Sequence, residues 1–580
     1  MVRQRAARGE RPKRDRPRYL RTLGALAACC AAYDCDAVDR VILEVGQVST
    51  AGVQATGATI TLDVAPKPDS SSPTLRTQIA QLRVPAAGTT YSDIDIGCTD
   101  LLVRQPQFAC NQGTIAARGG PTGQIAMNAA LTYDSANGAV SFSGSGLKLA
   151  GATTRLNGRL ESGTWALDVE GDGLDLVPAR KLAEPWLQLP PNDSLAGHLK
   201  FHLQSTGRLH ANQQVGPVQT RLTANTSDLN YSNEAGTTVA QNLAAALTGT
   251  VTRDRRKLIS DLQLQSSSGQ ALAGPVLLDF AKNPLNLQAH IASTDNGLAI
   301  TQIRLAQKDL VDASGEAQIA VKGPFILQQA HFDVQRLEFA AAYRSFLQLT
   351  LATTDFGKLN VGGRASGELD ITNAAISKVS AYLQNVSMAD STTRLSLANT
   401  NGEVHWAAAP GATIQPSQLS WSSSSAYGLM GGPVEMGFTT HGKDFALAPN
   451  TRLPIFDGAL VVHTLAIRKW GAPDAELDFD AHLEPISMPL LSKAFGWPIL
   501  SGQLAGRIPG VTYREHVLAA EGDLIANVFD GTITGSRIKL HDPWGAWPRL
   551  DADVTARHLD LDLLTHTFSI GSISGRLDAD

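Results

Sequence analysis

The sequence predicts a mainly β protein: a long, curved and twisted antiparallel sheet of repeated strands forming a groove, with a few short helices and a short N-terminal anchor or signal. Period-two alternation recurs from Val41 to the end of the chain. Composition agrees: 52 glycines and 6% aromatics suit many short strands joined by turns. In places the parity of the alternation slips, as between Ile570 and Ile573 and between Ile533 and Ile538. A β-bulge at the intervening Gly571 or Gly535 keeps the apolar residues on one face while bending the sheet; a turn between two strands explains the slip equally well.

The first 22 residues read as a basic cytoplasmic tail. Nine of the first 21 are Arg or Lys, against Glu10 and Asp15. Residues 23–40 read as an apolar anchor or signal segment. The run "LGALAACCAAY" (Leu23 to Tyr33) follows the basic stretch in the order of an export signal. It is about half of the ~20 residues a spanning helix needs. Leu26-Ala27-Ala28-Cys29 also has the spelling that precedes a lipidated cysteine.

Of the five cysteines, Cys98 and Cys110 stand apart from the signal region, twelve residues apart with Pro106 between them. Across a hairpin they can form a disulfide, worth roughly 2–3 kcal/mol in an oxidising compartment. Two buried thiols are the alternative. No second cysteine pair or nearby histidine completes a zinc site.

Residues 41–487 read as a repeated β-strand groove. Ala475, Leu477, Phe479, Ala481 and Leu483 alternate with Glu476, Asp478, Asp480, His482 and Glu484. Leu199-Phe201-Leu203 and Ala317-Ile319-Val321 repeat the theme earlier. Strands with one apolar and one polar face belong to antiparallel sheets. Short helices interrupt them as plugs or braces: "PARKLAEPWLQLPP", "FAAAYRSFLQL" with a stripe of Phe339, Tyr343, Phe346 and Leu347, and "SMPLLSKAFGWP". In the last, Ser487 is placed to cap, Pro489 suits the first turn and Gly496 the stop.

No nucleophile elbow, zinc-protease, Walker or dinucleotide motif occurs. His558 and His566, near Asp560 and Asp562, sit in "ARHLDLDLLTHT" and read as a solvated face, not a metal cluster. The chain is therefore expected not to be an enzyme and to need no cofactor. Its net charge of −5 gives no reason to expect nucleic acid. What remains is a great length of one-sided strand. A sixteen-carbon lipid tail resists crossing water by roughly 13 kcal/mol at ~0.8 kcal/mol per CH₂. A continuous apolar trough removes most of that barrier without a catalytic residue. The same pattern also fits a series of β-sandwiches whose apolar faces pair.

From Met488 on, the chain resembles the AsmA-like proteins of Gram-negative bacteria, most of all the YdbH-type branch often labelled a dicarboxylate-transport domain. The resemblance rests on Gly496-Trp497-Pro498 after a helix, "SGQLAGRIPG" (Ser501 to Gly510), "FDGTITG" (Phe529 to Gly535), "DPWGAWPRLDAD" (Asp542 to Asp553) and "LDLDLLTHTFSIGSISGRL" (Leu559 to Leu577). It covers about ninety residues, with "DCDAVDRVIL" (Asp34 to Leu43) as a further match. It implies a β-groove anchored at the inner membrane through the N-terminus, with the bulk of the chain in the periplasm. Such a groove passes phospholipids between the inner and outer membranes and meets outer-membrane or periplasmic proteins at its C-terminal end. Leu500, Leu504, Ile508, Leu550, Val554, Ile573 and Leu577 are then candidates for the lining. Two features depart from the family: the anchor is shorter, and the family continues beyond the equivalent of Leu577. The region 488–580 is thus expected to be incomplete at its C-terminal end, with "GSISGRLDAD" (Gly571 to Asp580) as an interior strand. Alternative readings are a periplasmic scaffold or outer-membrane biogenesis factor acting through protein contacts, and a polysaccharide-acting enzyme or binding module.

Overall fold

Alternating sequence becomes β-strand along most of the described residues. The computed structural model describes residues 39–49, 53–64, 72–85, 88–120, 123–183, 190–209, 215–255, 257–321, 326–352, 355–390, 395–409, 412–426, 428–470, 472, 474–514, 517–520, 522–541 and 549–580. The basic tail, most of the apolar segment and its three cysteines fall outside them. Among the described residues no helix is long and apolar enough to cross a membrane.

The protein is mainly β, built from antiparallel strands with a few short helical segments among the described residues. It divides into two compact units, Met1–Leu189 with His198–Leu222, and Pro190–Gly197 with Thr223–Asp580. The sequence boundary at 487/488 lies inside the second unit and marks the start of a helix.

In the first unit, hairpins follow one another from Arg40–Ser49 through Thr164–Asp175. Their turns use residues that tolerate a positive φ: the strands Ala139–Leu149 and Ala152–Glu161 are joined through Ala150 (φ 45°) and Gly151 (φ 87°), the two-residue turn whose twist matches that of the flanking strands. A helix, α1 (Leu176–Ala183), ends this run; the remainder of the predicted "PARKLAEPWLQLPP" element, 184–189, lies outside the described residues.

In the second unit, a helical segment, α2 (residues 339–351), interrupts the strands. Its middle turn, Tyr343–Leu347, is a π turn. The extra residue per turn shifts the buried stripe from the one the sequence predicts. Ala341, Ala342 and Tyr343 are buried against Leu310 or the adjoining strands, whereas Leu347 is exposed. The helix α3 (Met488–Phe495) starts with Pro489 in its first turn and stops at Gly496 in the left-handed conformation, as its sequence predicts. Ser487 does not cap it. Its hydroxyl and amide donate instead to the carboxylate of Asp457, which these bonds hold below the usual carboxylate range.

Two expectations for the C-terminal region need correction. "GSISGRLDAD" is not a ten-residue strand: only Arg576–Ala579 pairs, with Arg549–Asp560. A helix, α4 (Leu561–Thr567), takes the chain off the sheet first. Asp560 caps it, its carboxylate accepting from the amides of Asp562 (2.9 Å) and Leu563 (3.0 Å). The loop that follows is tied back to the helix by Ser572 Oγ donating to Asp562 (2.8 Å), so Gly571 marks a loop and no bulge. The bulge near Gly535 exists but sits two residues on. Ser536 pairs with Asp553 and Lys539 with Asp551, and Arg537 takes φ 50°.

Candidate functional site

Residues directly opposite one another in an antiparallel pair share a face, so strand register can be followed across many strands. In the first unit one row runs Val41, Leu62, Leu75, Cys98, Gly113, Ala129, Gly144, Leu156, Val169 and Leu203, each paired with the next. A second row on the same face joins Phe108, Tyr133, Val140, Leu160 and Trp165. Ten strands thus present one apolar surface. One residue over, the opposite face pairs Arg155, Glu170 and His202.

The second unit repeats this arrangement. Leu247, Leu264, Leu287, Leu305, Ala313, Val334, Gly367, Ala381 and Val404 form one row. The neighbouring row on the other face is polar: Gln263, Gln288, Arg304, Ser314, Asp333, Glu368, Ser380 and His405. Further along, Ile467, Leu477, Tyr513, Leu518, Leu540 and Leu550 continue the apolar theme.

The apolar faces are thinly covered. Among the described residues of the first unit, the buried apolar side chains are Ile94, Cys98, Ala117 and Ala152 on this face and Ala109 on the other, while Leu131 on the apolar face is 46% exposed. A sandwich would bury the large aliphatic residues; among the described residues of this unit Ile94 is the one large aliphatic side chain buried, and the rest of the burial falls on Cys98 and alanines. In the second unit the helices brace the sheet. Residues of α2 pack on Val311 and Leu337, and α3 places Met488 and Leu491 over Val528, Phe529 and Leu559.

The seven lining candidates separate accordingly. Leu504, Leu550, Val554 and Leu577 occupy strand positions on one face, and the backbone of Ile508, paired with Ala481, holds a position on it too. The side chain of Ile508 lies outside the described residues. Leu500, Leu504 and Leu577 pack against the cluster beneath α3. Leu550 (62% exposed) and Val554 (54%) are open on the sheet. Ile573 is 52% exposed but sits in the loop after α4, so it is not part of the sheet face.

Cys98 and Cys110 are joined by a disulfide, their Cα atoms 5.9 Å apart on the apolar face of the first unit. The polar faces carry cross-strand polar pairs, including the His202–Asp168 (3.0 Å) and His290–Asp261 (2.7 Å) contacts and the Arg452–Glu484 ion pair (2.7 Å). Gln204 and then His202 hold Asp168 below the usual carboxylate range, and Arg452 does so for Glu484. His331 Nδ1 donates to the Asp370 carboxylate at 2.6 Å, which raises the His331 pKa; its other ring nitrogen faces Asp333 at 3.5 Å. A cavity of about 300 Å³ beside this pair is lined by Glu316, Gln318 and Gln329 as well as Ile300 and Ala330. His558 and His566 are exposed and face Asp578 (3.8 Å) and Asp562 (3.2 Å). Among the described residues no three His, Cys, Asp or Glu side chains are grouped to hold a metal.

No family model matches the chain, and no curated protein matches it.

Proposed function

We propose that this chain is a lipid conduit, with phospholipid acyl chains lying along the apolar sheet faces and head groups at their margins. The observation that carries the reading is the ten-strand apolar row of the first unit, whose large side chains stay part-exposed instead of packing into a dry core. Apolar surface left open at this scale marks a binding surface, and an acyl chain satisfies it without directional contacts. The Cys98–Cys110 disulfide supports an oxidising compartment. With the basic-then-apolar N-terminus, this favours a periplasmic body anchored at the inner membrane. The resemblance of the C-terminal ninety residues to AsmA-like proteins points the same way, toward transfer between inner and outer membranes without catalysis.

The test is transfer of a fluorescent phospholipid between donor and acceptor vesicles by the full chain. Leu131→Asp with Leu167→Asp places two charges on exposed positions of the apolar face. Transfer is expected to fall to background while the circular dichroism spectrum is kept. Undiminished transfer by this variant would sink the reading.

A further inference from the structure

A second cavity, of about 480 Å³, opens at the ends of four strands of the second unit. It is lined by Trp406, Phe445, Ile467 and Trp470, with Thr440, Gly442, Lys443 and Asp444. This volume falls in the range of small-molecule sites, roughly 300–1,000 Å³.

The site is held in place by the backbone. Thr440, Phe445 and Ile467 pair in one row, on the apolar face. Gly442 (φ 54°) and Lys443 form the tight turn between Thr440 and Phe445. The Trp406 indole N–H donates to the Gly442 carbonyl at 2.9 Å, which fixes the ring against the turn. The Trp470 amide donates to the Lys443 carbonyl at 2.9 Å, tying the opposite wall to the same turn. Trp470 is nonetheless 66% exposed. A large aromatic ring held by its backbone with its face to solvent is unused apolar surface.

The mouth carries charges of both signs. Asp444 accepts from the Lys469 amide at 3.0 Å, and Lys469 Nζ pairs with Asp474 at 2.7 Å. Lys443 is exposed; among the described residues it makes no ion pair within 4 Å, and its charge adds to that of Lys469 in holding Asp474 below the usual carboxylate range. Aromatic rings with one apolar and one wet side, next to an exposed ammonium, match an amphiphile with an apolar tail and an anionic head.

We infer that the Trp406–Phe445–Ile467–Trp470 cavity is a discrete binding site for an acyl chain whose anionic head, carboxylate or phosphate, is met by Lys443. The inference deepens the conduit reading, because the cavity opens onto the same apolar face and would admit or release a chain at the strand ends. It does not require transfer along the sheets.

The experiment photolabels the purified full chain with three probes carrying a diazirine near the tail end: palmitate, palmityl alcohol and phosphatidylglycerol. Adducts are mapped by peptide mass spectrometry. Adducts concentrated in the peptides around 438–448 and 465–470 are expected. Lys443→Glu should lower palmitate labelling there by roughly fivefold, the worth of one partly exposed charge contact, and change palmityl alcohol labelling little. Trp470→Ala should lower labelling by both. Labelling by palmitate alone identifies a fatty-acid site, and labelling by phosphatidylglycerol as well identifies a lipid-head-group site. Adducts scattered without enrichment at the cavity, or palmitate labelling untouched by Lys443→Glu, would overturn the inference. Cavity labelling in a chain that fails to transfer lipid would leave this site standing and remove the conduit; transfer without cavity labelling would do the reverse.

Discussion

The first unit and the C-terminal region of the second are built from the same one-sided strands, yet they treat their apolar faces differently. In the first, Leu131 and Leu167 stay part-exposed, and burial falls chiefly on small residues such as Ala117 and Ala152. In the second, α3 lies on the sheet, so Met488, Leu491, Val528, Phe529 and Leu559 form a closed cluster with Leu504, Ile533 and Ala556 around it. The strand pattern is alike in both, so a helix of eight residues decides whether an apolar face is a core or an open surface. Openness is therefore a local property, and stability and ligand binding should be separable by position.

The largest effect that would break this contrast is in the closed cluster. Phe529→Ala should cost about 3 kcal/mol or more, read by urea unfolding with hydrogen exchange to locate the loss. Leu131→Ala, on the open face, should cost under about 1 kcal/mol, because much of that side chain is already wet. Equal losses would mean that both faces are cores. Next in size is the disulfide. Cys98→Ser with Cys110→Ser should lower the stability of the first unit by roughly 2–3 kcal/mol, and reducing agent should reproduce the drop in the parent chain but not in the variant.

Smaller effects sharpen the account of the turns and the polar faces. Ala150→Gly relieves an alanine at φ 45° and should stabilise the first unit by about 0.5–1 kcal/mol. In the second unit His331 is raised by Asp370 first, with Asp333 and Glu368 adding to it. A raised histidine contributes stability that is complete below its unfolded value, about 6.5, and is lost as pH rises through the folded value. His331→Asn should remove that dependence, by under about 1 kcal/mol because the pair is part-exposed. Asp168 and Glu484 act in the opposite sense: their contribution holds above the ordinary carboxylate range and is lost as the solution is acidified.

Much of the fold was legible because the strand period is two, and a row such as Leu477, Phe479 and Ala481 announces its face without knowledge of partners. The same logic set Leu504, Leu550 and Val554 on one face. What parity does not carry is coverage: Leu504 under α3 and Leu550 in the open read identically in sequence. Helix α4 was missed because Leu559, Leu561 and Leu563 alternate as a strand would; the signal was Asp560, whose carboxylate caps the first turn. The bulge fell on Arg537 because pairing with Asp551 and Asp553 fixes it, and pairing is a long-range fact. The aromatic cavity has no local signature at all. Its walls come from Trp406, Phe445 and Trp470, and only the pairing of distant strands assembles them.

The central claim is that acyl chains occupy one face of the sheet and not the other. Leu131 and Ala130 are neighbours in one strand and point to opposite faces, Leu131 pairing with Cys110 and Phe142 and Ala130 with Ser143. A photoreactive benzoyl-phenylalanine placed at either position in the full chain, illuminated with phospholipid vesicles, reads the claim directly. The account predicts a phospholipid adduct at position 131 and none at 130; adducts at both positions alike, or at neither, would contradict it.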